Sequence, residues 1–152
     1  MLRAEEFMVG TLADAAPGSL MLPRNRYEAV FLIGGPTDAA VAVCLSPAHP
    51  YAPIKCAEAT AWRGIIIPNI VIEMDPMFML TGDEGRAGAL IRSGSSLHIL
   101  TASHQSMRAT PTVLLTDLPP AVDGEAAVFL RWQVVLGGGV SKRVLWSSPE
   151  AT

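Results

Sequence analysis

Apolar positions in this chain fall in runs of strand length, separated by proline, glycine and short polar clusters. The densest run is Trp62-Arg63-Gly64-Ile65-Ile66-Ile67-Pro68-Asn69-Ile70-Val71-Ile72-Glu73-Met74-Asp75. Neither Ile65–Ile67 nor Ile70–Ile72 alternates with polar residues, which predicts a sheet region covered on both faces. Pro68 cannot donate to a ladder, so Pro68-Asn69 is either a tight hairpin turn or a bulge or bend. Pro-Asn is not a primed-turn dipeptide, so the bend is preferred.

Strand-and-turn punctuation holds along most of the chain. Residues 19–22 and 27–33 read as strands, and Gly34-Gly35-Pro36-Thr37-Asp38 as a turn cluster. Residues 39–45 run back with Val41, Val43 and Leu45 on one face and Ala40, Ala42 and Cys44 on the other. The small residues of the second face predict close packing there. Residues 46–55 carry Pro47, Pro50 and Pro53 and read as a loop, with His49 and Tyr51 in it. Residues 87–91 and 95–101 form a hairpin around Arg92-Ser93-Gly94, and residues 111–117 a further strand. Val128, Leu130, Trp132, Val134 and Leu136 alternate before Gly137-Gly138-Gly139. A three-glycine loop would set Trp132 opposite Val144 and Leu130 opposite Trp146, with Arg131 and Arg143 pointing away. Lys142, opposite Val134, is then out of place.

Residues 2–16 form the one helix candidate. Phe7, Met8, Leu12 and Ala15 can share a face, Glu5 and Glu6 suit the first turn, and Pro17-Gly18 ends it. In sum the pattern predicts a mainly β fold of about eight to ten short strands, closed as an antiparallel barrel or sandwich, with one short N-terminal helix.

Composition changes this picture in one respect. The chain has 152 residues, enough for a single domain with one sizeable core. Half of them are apolar and the mean hydropathy is +0.36, which is high for a small monomer. No run approaches the ~20 apolar residues of a spanning helix. Glu5 and Glu6 stand where a signal peptide would carry basic and apolar regions. The expectation is a cytoplasmic protein whose excess apolar surface lies in a homo-oligomer interface. A net charge of −3 with scattered basic residues argues against nucleic-acid binding. Cys44 and Cys56 are too sparse for a disulfide scaffold and read as buried thiols.

The chemistry-bearing residues form no coherent motif. A zinc site would have to combine Cys44, His49, Cys56 and His98 or His104, without the close ligand pair such sites start from. A serine nucleophile would need Ser103-His104, or Ser95 or Ser96 with His98, and an acid such as Asp117; no G-x-S-x-G elbow is present. Glu73 and Asp75 share a strand face and are a candidate acid/base or cation pair, with Asp83 and Glu84 in the acidic turn that follows. The glycines at 82, 85 and 88 and at 137–139 match neither a Rossmann fingerprint nor a P-loop and read as turns. No cofactor is expected. Met77, Phe78 and Met79, joined by Trp62, suit an adaptable apolar contact surface. Two functions follow. The first is a binding or assembly module that pairs with itself and with a protein partner. The second is a small hydrolase or metal-dependent enzyme using His49, Glu73, Asp75, His98 and His104. A barrel enclosing a small apolar ligand is a third idea with no specific residue behind it.

Overall fold

The computed structural model describes residues 2–24, 29–47, 50–81, 86–102, 112–119, 126–137 and 142–149. Six strands come first: β1 (Met8–Thr11), β2 (Leu20–Pro23), β3 (Phe31–Gly34), β4 (Val41–Cys44), β5 (Pro53–Lys55) and β6 (Arg63–Ile67). They form one sheet in the order β1-β6-β2-β3-β4-β5. Next come β7 (Ile70–Met74), then β8 (Met79–Thr81), β9 (Leu90–Ser93), β10 (Ser96–Leu100), β11 (Thr112–Asp117) and β12 (Ala127–Phe129). The last five make a second sheet, β11-β10-β9-β12-β8. β13 (Trp132–Leu136) and β14 (Arg143–Ser147) join β7 in a third, β14-β13-β7. Every pairing is antiparallel.

The three sheets share one core. Leu32, Val43 and Ile67 enter it from the first sheet, Leu90, Ile99 and Phe129 from the second, and Trp132, Val134 and Leu136 from the third. The other face of the six-stranded sheet carries a second core. There Phe31, Ala42, Cys44 and Ile66 pack under the 3-10 turns Leu12–Asp14 and Cys56–Glu58. The two faces of β4 therefore divide as its alternation predicts, and the small face is the closely packed one.

Two apolar runs change sheets part-way. The first leaves the six-stranded sheet at Pro68-Asn69 and continues as β7, so the interruption is a bend and not a hairpin turn. β6 is covered on both faces as predicted, but β7 is an edge strand with Val71 exposed. The second run bends at Leu130-Arg131, passing from β12 to β13. A bend removes ladder partners, and a buried backbone group must find others. The buried Ser148 hydroxyl accepts from Trp132 N at 3.1 Å and donates to Leu130 O at 3.0 Å. Ser148 N donates to Trp132 O, and Asp75 N donates to Arg131 O, both at 2.9 Å. The continuations β7 and β13 then pair with each other, Trp132 opposite Met74 and Val134 opposite Ile72.

Several expectations are corrected. No barrel closes among the described strands; each sheet keeps two edges. The N-terminal helix is replaced by 3-10 turns at Ala4–Glu6 and Leu12–Asp14 flanking β1. β1 gains its backbone partners from β6, and Asp14 accepts from both the Thr11 amide and hydroxyl, closing the second turn. Phe7 and Leu12 consequently enter different cores. The proline-rich loop contains β5, tolerated because it is an edge strand that begins on Pro53. The β13–β14 register also differs. Leu136 faces Arg143, Val135 faces Val144 and Val134 faces Trp146, with a bulge between. Leu130 lies outside β13, so nothing requires it to face Trp146. Arg143 does not point away; it forms an ion pair with Glu6.

Candidate functional site

The bend after β7 and the bend before β13 lie side by side, and together they build a surface groove. Its volume is about 520 Å³, and Glu73, Met74, Asp75, Arg131, Trp132 and Gln133 line it. Pairing of β7 with β13 sets Gln133 directly opposite Glu73. Gln133 Nε2 donates to Glu73 Oε1 at 2.8 Å, and Lys142 Nζ reaches the same oxygen at 2.9 Å. Lys142 thus finds its partner across the sheet and not at Val134. Asp75 is used differently. Its Oδ1 accepts from Met77 N at 3.0 Å and so caps the 3-10 turn Pro76–Phe78.

That turn delivers the apolar strip. Met77 is 84% exposed, Phe78 44%, Met79 48% and Leu80 37%. Arg131 lies over the Phe78 ring, its Cζ 3.3 Å from the centroid, which ties the strip to the groove. The strip runs directly into β8, at the edge of the five-stranded sheet.

The Gln133 and Lys142 hydrogen bonds hold the Glu73 carboxyl below its ordinary pKa. Its contribution to stability is therefore present at neutral pH. It is lost only as pH falls through the depressed value, below the usual glutamate range. A carboxyl titration followed by NMR is expected to place the Glu73 midpoint under that of an unperturbed glutamate. Lys142→Met should move it up; an unmoved midpoint would mean that the ion pair does not form. A carboxylate kept ionised by two donors is suited to binding a hydrogen-bond donor or a cation, and poorly suited to proton transfer near neutral pH.

The other predicted residues lie elsewhere. Trp62 belongs to the second core, 5.3 Å from the Phe31 ring, and not to the Met77–Leu80 surface. His98 sits on β10 and does not line the groove. Its Nδ1 is 3.4 Å from Ser96 Oγ, whose hydroxyl already donates to Ser93 O at 3.0 Å. Asp117 faces Ser96 across the strands, yet it makes no hydrogen bond to His98, so the relay a serine nucleophile requires is not formed. Cys44 and Cys56 are free, buried thiols of the second core. Burial pushes the Cys56 thiol up, which lowers its thiolate fraction. Among the described residues no three His, Cys, Asp or Glu side chains gather as a metal site. His49, Asp83, Glu84, Ser103 and His104 lie outside the described residues.

Sequence reasoning missed Arg131 and Gln133 as groove residues and Lys142 as a partner of Glu73. Gln133 and Arg131 were legible as outward-facing positions, but their partners depend on the pairing of β7 with β13. No helix among the described residues is long and apolar enough to cross a membrane.

Residues 9–151 match the family described as uncharacterised protein y4lG. The chain is 37% identical over 150 residues to a relative of that same description from the bacterium Sinorhizobium fredii (strain NBRC 101917 / NGR234). The match covers 96% of this chain and 92% of the relative. No solved structure matches.

Proposed function

The chain belongs to the family of uncharacterised protein y4lG, whose description states no activity, and we propose from its own surface that it is a binding and assembly module that pairs with a second copy through the β8 edge. The observation that carries this reading is four consecutive exposed apolar residues, Met77 to Leu80, running into an edge strand. An unpaired edge is a template for another strand, and protected edges usually carry Lys, Pro or a bulge within them. Here Met79-Leu80-Thr81 carries none of these, and Pro76 stands before the strand. Antiparallel pairing of two β8 strands is self-complementary about a two-fold axis, which closes the assembly as a dimer. Flexible methionines around one aromatic ring suit such a contact.

Light scattering across a concentration series checks this. The chain is expected to run as a dimer. Met77→Lys with Leu80→Lys is expected to weaken dimerisation by at least about tenfold while the circular dichroism spectrum stays unchanged. A wild-type monomer at every concentration, or a dimer indifferent to the two lysines, would overturn the proposal.

The enzyme reading draws less support. Of its three described residues Glu73 and Asp75 line the groove and His98 does not, and both carboxylates already serve structural partners.

A further inference from the structure

The inner face of β7 borders a second cavity, at the place where the three sheets meet. Ile70, Ile72 and Met74 point toward the common core, each opposite a β13 residue that is almost wholly buried. Yet all three are only half-buried themselves. The space beside them is a cavity of about 290 Å³. β7 lines it together with Leu115 and Thr116 of β11 and Leu32 and Ile33 of β3. β7 and β11 are both edge strands, so the cavity opens between the edges of two sheets.

The lining states the chemistry it accepts. Its side chains are aliphatic apart from the Met74 thioether and the Thr116 hydroxyl. Gly18 N is already bonded to Ile33 O, and the Thr116 hydroxyl donates to Asp117 O at 3.3 Å. Among the described residues no ionisable side chain lines the cavity. A charge drawn in among these side chains would find no ionic partner on them, at a desolvation cost. A hydroxyl can accept a hydrogen bond as well as donate one, so one neutral polar group can be met. At a liquid-water share of about 30 Å³ per molecule, the volume corresponds to roughly ten heavy atoms.

We propose that this cavity is a binding site for an uncharged aliphatic small molecule of about ten heavy atoms, held by hydrocarbon contact along β7 and β11 and oriented by the Thr116 hydroxyl. The site is independent of the β8 surface, because β8 and β11 are opposite edges of one sheet.

The experiment is a two-dimensional amide NMR titration of the full chain with 1-octanol and, separately, with octanoate. 1-Octanol is expected to shift resonances of residues 70–74 and 115–118 saturably. Octanoate, with the same chain and a charged head, is expected to bind at least about tenfold more weakly. Ile72→Trp, which places an indole in the cavity, should abolish the shifts. Leu118→Trp at the end of the lining serves the same purpose if the first variant does not fold. Absence of saturable shifts, shifts that survive the tryptophan, or octanoate binding as tightly as 1-octanol would each overturn the proposal. None of these outcomes depends on dimerisation, which light scattering reads separately.

Discussion

Trp132→Ala is expected to cost about 3–5 kcal/mol, a large share of a domain's total stability. Trp132 is 1% exposed and sits where β13 begins, just past the bend that changes sheets. Its indole packs 4.7 Å from Trp146, between the third sheet and the rest of the common core. Its Nε1 donates to Gly88 O at 2.8 Å, fastening the third sheet to the segment before β9. Alanine removes the ring and leaves that carbonyl without its donor. Trp132→Phe keeps most of the volume and isolates the hydrogen bond, at about 1–3 kcal/mol. Urea denaturation of both variants is the measurement. A cost below about 1.5 kcal/mol for alanine would mean that the core closes without this ring.

Gly88→Ala is expected to be nearly as severe, about 2–5 kcal/mol from backbone strain and overpacking together. Gly88 has φ +91°, a left-handed conformation that an L side chain resists. A Cβ there would lie 2.2 Å from two ring atoms of Tyr51. That ring is not free to leave. Tyr51 has a positive φ of 61°, its amide is bonded to Cys44 O, and its carbonyl accepts from Ala102 N. The melting temperature should fall by roughly 5–20 °C in a domain of this size. In a Tyr51→Ala background the added cost should shrink to the backbone strain alone. An equal loss in both backgrounds would show that the ring contact contributes nothing. The turn reading of Gly88 is thus incomplete, since this glycine also makes room for Tyr51 and presents its carbonyl to Trp132.

Local pattern carried much of the fold. The hairpin of β9 and β10 forms as expected, but it turns at Gly94-Ser95, with Arg92 and Ser93 of the expected turn in β9, and β3 pairs with β4 as the flanking alternation implies. The exposure of Met77 and Phe78 follows from their place between Pro76 and a polar turn. The candidate site was half legible. Glu73 and Asp75 both line the groove, but Asp75 lies just beyond β7 as the cap of the next turn, and their roles diverge through Lys142 and Met77.

By itself, then, the sequence determined most of the strand segments, β1 and β5 excepted, which faces of β4 and β6 are apolar, and that polar groups are too dispersed for an evident catalytic motif. Alternation and turn chemistry are properties of neighbouring residues, so they can be read from neighbouring residues. The tertiary structure decided that residues 8–11 are a strand and not part of a helix, that two continuous apolar runs each divide between sheets, and that Leu136 faces Arg143. In each case the deciding hydrogen bonds come from far along the chain: β6 for β1, Ser148 for the bend before Trp132, and β7 for the register of β13. Backbone groups must be satisfied wherever they are buried, and which remote segment satisfies them depends on the whole packing and not on the local pattern.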